Sequence, residues 1–228
     1  MTLAVIFDLD GTLVDSAPDI HAAVARCLAE EGLPALPSAQ VARFVGNGVP
    51  VLIDRVIAAC GLAAGPLHRD AMIARFLGHY QAALSDLTTV YPGVHTALNA
   101  LQQAGHRMAV CTNKPAAAAS SLLRAFDLAQ YFPVVVGGDS LAVTKPHPAP
   151  LLEAIRLLGG GAAIFVGDSE VDAETAQAAG VPFVLFTEGY RKTAVTALPH
   201  HTAFSAYAAL PTLVAALSAE QVSAPPPL

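Results

Sequence analysis

Residues 3–12 read Leu3-Ala4-Val5-Ile6-Phe7-Asp8-Leu9-Asp10-Gly11-Thr12. An apolar run ends abruptly in two acids, Asp8 and Asp10, with Gly11 directly behind them. A short apolar segment without alternation is the pattern of a strand covered on both faces. Such a strand delivers Asp8 and Asp10 to its C-terminal end, where open α/β sheets hold their ligands. Two carboxylates so close repel each other unless a cation or a proton intervenes. The stretch therefore predicts a parallel sheet with a chemical site at the end of its first strand.

Outward from it, four more runs read as buried strands: Arg107–Thr112, Val134–Gly137, Ala162–Val166 and Phe183–Phe186. Helical segments accompany them at Val94–Gln103, Ala116–Phe126, Ala149–Leu158 and Ala173–Ala179. The alternation predicts an α/β fold built on a doubly wound parallel sheet. The interval from Phe7 to Arg107 is far longer than one crossover requires. It reads as helical: Ser16 to Glu31, Ser38–Phe44, Pro50–Cys60 and His68–Leu84. A small all-helical cap over 16–86 is expected, joined by hinges near 13–17 and 85–92. The remaining 1–15 and 87–222 would form the core. Residues 223–228, with Pro225, Pro226 and Pro227, are expected to be a disordered tail.

Composition narrows the classes of function. Of 228 residues, 54% are hydrophobic and 13% charged, the balance of an ordered globular chain. A net charge of −6 argues against a nucleic-acid partner. No apolar run reaches membrane-spanning length, and the N-terminus enters a strand with no leader-like segment, so no membrane partner is expected. Cys27, Cys60 and Cys111 show no CxxC pairing, which disfavours a disulfide framework or zinc site and points to the reducing cytoplasm. A monomer or homodimer is expected.

Other strand ends also carry chemistry. Thr112, Asn113 and Lys114 close the second strand at the start of a helix, where free N–H groups favour an anion. Lys145 sits in a segment stiffened by Pro146 and Pro148 and is suited to neutralising a bound anion. The fourth strand ends Gly167-Asp168-Ser169-Glu170-Val171-Asp172. One such cluster per strand end is a stronger signal than any of them alone.

In these motifs the sequence resembles the haloacid dehalogenase superfamily. The motifs are Asp8-Leu9-Asp10-Gly11-Thr12, then Thr112, then Lys145, then Gly167-Asp168-Ser169 with Asp172. Asp10-Gly11-Thr12-Leu13-Val14-Asp15-Ser16-Ala17-Pro18-Asp19, Val45-Gly46-Asn47-Gly48 and Val90-Tyr91-Pro92-Gly93-Val94 resemble the superfamily's phosphoglycolate phosphatases. Gly189-Tyr190-Arg191-Lys192-Thr193 departs from their Gly-Tyr-x-x-Gly stretch by lacking the second glycine.

The resemblance implies hydrolysis of a small phosphorylated acid, 2-phosphoglycolate above all, through an aspartyl-phosphate. Asp8 is expected as nucleophile and Asp10 as acid–base. Mg²⁺ would be held by the Asp8 and Asp168 carboxylates and the Asp10 carbonyl, with Asp172 and Ser169 supporting from behind. Thr112 and Asn113 would bind the phosphoryl oxygens, and Lys145 would offset their charge. In the cap, the Gly46-Asn47 turn could approach the substrate, with Arg43 and Arg55 available to its carboxylate. A phosphatase or phosphomutase for sugar phosphates, a dehalogenase, and an inactive binding protein stay open as alternatives. No role is assigned to His147, to the His200-His201 pair or to Gly159-Gly160-Gly161, which precedes a strand and so is no dinucleotide fingerprint.

Overall fold

A computed structural model describes residues 2–62 and 65–223, with side chains as far as 219. β1 (Ala4–Phe7) and β2 (Val14–Asp15) lead into α1 (Ala17–Glu30), α2 (Ser38–Ala42), α3 (Val49–Ala59) and α4 (Pro66–Ala82). There follow β3 (Thr89–Val90), α5 (Val94–Gln103), β4 (Arg107–Cys111), α6 (Ala116–Ala125), β5 (Val134–Val136) and α7 (Ala149–Leu157). β6 (Ala163–Gly167), α8 (Glu170–Ala179), β7 (Phe183–Phe186), β8 (Thr202–Phe204) and α9 (Leu210–Ser223) complete the described chain. No helix among the described residues is long and apolar enough to cross a membrane.

The main sheet runs β5-β4-β1-β6-β7-β8, and every pairing in it is parallel. β1 is central, so its neighbours β4 and β6 belong to opposite halves of the winding. That reversal opens a crevice at the C-terminal ends of the strands. Phe7 is in register with both Val110 and Val166. The three central strands therefore end together, at Asp8, Thr112 and Asp168.

Side chains alternate between the two faces of β1. Leu3, Val5 and Phe7 pack with Leu98 and Leu101 of α5, Leu122 of α6 and Val214 of α9. Ala4 and Ile6 pack with Leu151 and Ala154 of α7 and with Ala173 and Ala176 of α8. This double covering is why the strands carry no polar alternation.

The four helices from α1 to α4 have an apolar cluster of their own, including Val24, Leu28, Ile53, Met72 and Phe76. The two connections expected as hinges are joined to each other. β2 and β3 pair antiparallel, Val14 with Val90 and Asp15 with Thr89. Strands of two residues leave no readable pattern in a sequence. β8 and α9 were likewise not predicted: Thr202–Phe204 is a three-residue strand, and α9 has almost no polar-to-apolar asymmetry. α8 begins at Glu170, three positions before the expected Ala173, because Ser169 and Asp172 form a reciprocal capping box. Ser223 closes α9, and the rest of the expected tail, 224–228, lies outside the described residues.

Candidate active site

Asp8, Asp168 and Asp172 come together at the strand ends, all buried, with one carboxylate oxygen of each within 4.8 Å of the others. Lys145 Nζ stands among them, 2.6 Å from Asp172 Oδ1 and 2.9 Å from Asp8 Oδ1. Thr12 Oγ1 donates to Asp168 Oδ1 at 2.7 Å, and the Tyr190 amide donates to Asp168 Oδ2 at 2.6 Å. Asp172 Oδ2 accepts the Asp168 and Ser169 amides and the Ser169 hydroxyl, the last at 2.7 Å. Asp172 is thus saturated by protein donors, whereas Asp8 and Asp168 keep lone pairs for a ligand.

Three carboxylates against one ammonium leave buried negative charge uncompensated, which favours protonation of the acids. Burial pushes the Asp8 carboxyl up to about 7, with Lys145 opposing and Asp172 adding to the rise. Burial, then Asp172 and Asp8, raise Asp168 well above the usual carboxylate range. For Lys145, burial opposes the charged form, but Asp172 and Asp8 outweigh it and hold the ammonium above the ordinary lysine range. Asp8 Oδ1 is buried and receives no well-aligned hydrogen bond despite its contact with Lys145. Excess buried negative charge, hard oxygen donors and a carboxylate oxygen with no well-aligned donor together fit a divalent cation.

Asp10 stands apart from this cluster. Its carboxylate accepts from Lys114 Nζ at 2.9 and 3.1 Å and from Ser16 Oγ at 2.5 Å. Only its backbone carbonyl was expected at a metal. Lys114 also donates to Tyr80 Oη at 2.5 Å. Gly11 lets the chain pass close against Asp168. Its φ is +85°, and a Cβ there would lie 2.5 Å from Asp168 Oδ2.

Above Asp8 and Asp10 lies a cavity of about 60 Å³. Its polar floor includes Thr112, Asn113 and Lys114, and Ile20, Val45, Val49, Leu52, Phe76 and Tyr80 of the helical unit form its walls. Gly46 lines it too. Asn113 Nδ2 donates to Gly46 O at 3.0 Å and to Lys145 O at 2.9 Å, while Asn113 Oδ1 accepts the Lys145 amide at 2.9 Å. Asn113 therefore ties the helical unit's turn to the Lys145 segment.

Arg55 and Asn47, the cap residues expected near substrate, are not among the residues that line the cavity. Arg55 donates to Phe44 O at 2.7 Å and to Asn47 Oδ1 at 2.8 Å, so the two side chains staple their own turn. A guanidinium with several donors is readily consumed by a nearby irregular loop. His147 Nδ1 accepts the Ala149 amide at 3.1 Å at the start of α7.

The sequence matches a known family over residues 5–186, the haloacid dehalogenase-like hydrolases. The chain belongs to that family. Among curated relatives, the phosphoglycolate phosphatase of Cereibacter sphaeroides (strain ATCC 17029) is 52% identical over 216 residues, covering 94% of this chain and 99% of the relative. The phosphoglycolate phosphatase of Rhodobacter capsulatus is 46% identical, covering 94% and 97%. A crystal structure of a predicted phosphoglycolate phosphatase from Haemophilus somnus 129PT superposes with a TM-score of 0.88 at 30% identity, covering 93% of this chain and 98% of that one.

For this haloacid dehalogenase-like hydrolase, sequence reasoning named the carboxylates and Lys145 but assigned no individual role to Lys114, Tyr80 or Tyr190. Tyr190 joins two regions: its amide holds Asp168, and its hydroxyl donates to Asp15 at 2.7 Å and accepts the Ala17 amide at 2.9 Å. A signal for Lys114 existed in the Thr112-Asn113-Lys114 turn. Tyr80 lies in a helix whose apolar pattern gives no hint that its hydroxyl reaches the core.

Proposed function

We propose that this protein is a Mg²⁺-dependent phosphomonoester hydrolase acting on a small phosphorylated acid, with 2-phosphoglycolate as the substrate. The observation that carries this reading is the division of the first-strand acids. Asp8 belongs to a charge-excess cluster with Lys145, while Asp10, two residues on, is held separately by Lys114 and Ser16 at the floor of the same cavity. This division supports a reading in which one acid attacks phosphorus and the other transfers protons.

Asp8 and Asp168, with the Asp10 carbonyl, would hold Mg²⁺, an ion suited to carboxylates and phosphate oxygens. When bound, the ion supplies positive charge that stabilises the phosphoryl oxygens during transfer. The Asp8 carboxylate attacks phosphorus, the bond to the bridging oxygen breaks, and an aspartyl-phosphate forms. Asp10 gives its proton to the departing oxygen. It then takes a proton from the water that attacks the aspartyl-phosphate, which releases phosphate and regenerates Asp8. Lys145 offsets charge on the transferring group, and Thr112 with Asn113 orients its oxygens. Asp172 and Ser169 hold Lys145 and the Asp168 loop in place.

The helical segment 16–86 would act as the cap that excludes water and selects the leaving group. The relatives named phosphoglycolate phosphatase support 2-phosphoglycolate as the substrate. Three free cysteines support a cytoplasmic setting. The test is phosphate release with Mg²⁺ from a panel of phosphorylated acids, sugars and nucleotides. Turnover of 2-phosphoglycolate well above all others is expected. Efficient hydrolysis of sugar phosphates without it would overturn the assignment, and activity unchanged by EDTA would overturn the metal's role.

A further inference from the structure

An acid substrate needs a cation for its carboxylate, and the two arginines flanking the cap turn, Arg43 and Arg55, do not line the cavity. Lys145 is committed to Asp172 and Asp8. Among the described residues that line the cavity, Lys114 is the one basic side chain. It is 6% exposed, bonded to Asp10 and to Tyr80, with its ammonium 4.5 Å from the centre of the Tyr80 ring.

An ammonium has three donors, and here two contacts go to the oxygens of one carboxylate and one to a phenol, so a second carboxylate can take over one of the two Asp10 contacts. Ser16 Oγ also donates to Asp10, at 2.5 Å, so Asp10 keeps a donor when Lys114 turns toward another acceptor. We infer that Lys114 determines specificity: its ammonium receives the carboxylate of the leaving group in exchange for part of its contact with Asp10. This rests on the 2-phosphoglycolate reading above. In that ester the carboxylate stands one methylene from the bridging oxygen, and Asp10 is the residue assigned to that oxygen. A cation bonded to Asp10 is therefore where the carboxylate arrives. Tyr80 belongs to α4, so the recognising ammonium is also fixed by the helical unit, and selection depends on that unit being docked.

The experiment compares 2-phosphoglycolate with 2-hydroxyethyl phosphate, which has the same chain length and no carboxylate, in the full-length enzyme with Mg²⁺. Wild type is expected to prefer the acid. Lys114→Met should lower kcat on both esters alike, because Asp10 loses a donor, and should in addition raise KM about 10- to 100-fold on 2-phosphoglycolate alone. Lys114→Arg should restore part of the preference. Lys114→Gln, which can still bond to Asp10 and Tyr80, carries the same expectation where the Met variant does not fold. Equal losses in kcat/KM on both esters, against a wild type that prefers the acid, would overturn the role of Lys114 and leave the substrate reading standing. Absence of any preference in wild type would overturn both.

Discussion

Thr88 gives Asp19 both its backbone N–H, at 2.8 Å, and its hydroxyl, at 2.6 Å. The Leu87 amide adds a further donor at 3.0 Å, and the Asp19 side chain is buried. Asp19 lies in the first turn of α1, the outgoing helix, while Leu87 and Thr88 lie on the returning segment. One carboxylate thus fastens the two ends of the helical unit beside the β2–β3 pair. Asp19→Ala leaves these donors without their acceptor and should cost about 1.5–3 kcal/mol. That corresponds to a fall of several degrees in the unfolding midpoint. Thermal unfolding by circular dichroism measures it, and an unchanged midpoint would show that the tether contributes no stability.

Asp8→Asn should reduce turnover by several orders of magnitude, because a neutral amide cannot attack phosphorus. The same variant should alter stability in chelator. Folding raises the Asp8 carboxyl from 3.8 to about 7, so the folded state binds more protons than the unfolded state in that interval. Stability of the metal-free wild type therefore declines as pH rises from about 4 to about 7. Asn removes this contribution, so the variant should gain on wild type across the window and keep the advantage above it. Urea titrations at pH 5 and pH 8 decide the matter; a constant difference between the proteins would refute the linkage.

Metal binding should be tied to the same protons. Asp8 and Asp168 must both be ionised to ligate a cation, and burial raises both. Mg²⁺ affinity should fall as pH drops through about 7, with protons released on binding. Calorimetry in buffers of different ionisation enthalpy counts those protons. At Mg²⁺ concentrations near 100 times Kd, the folded state should gain about 2.7 kcal/mol. No shift in the midpoint on adding Mg²⁺ would argue against the site.

Gly189→Ala should impair the enzyme through Asp168. A Cβ at position 189 would overlap the Asp168 side chain and the Gly11 carbonyl, neither of which can move without disturbing the acid cluster. Reduced Mg²⁺ affinity together with a lower unfolding midpoint is the expected pair of effects. Wild-type Mg²⁺ affinity in this variant would show that the loop can shift freely.

Residues 3–12 determined a great deal without any structure. A strand buried on both faces must be apolar throughout, so five of the six strands of the main sheet were legible in the sequence pattern, and the short edge strand β8 was not. Chemistry at strand ends leaves residues that a folded core would not otherwise use, which is why Asp8, Asp10, Lys145 and Asp168 stood out. Arg55 did not show its role, since a guanidinium beside a glycine turn serves a ligand or a carbonyl equally well in sequence. Only the packed molecule decided that it staples the turn from Phe44 to Asn47. The same holds for Lys114 and Tyr80, and for Asp19 with Thr88. Each pairing joins residues far apart in the chain: docking of the helical unit onto the sheet brings Tyr80 to Lys114, and closure of that unit's two ends brings Asp19 to Thr88.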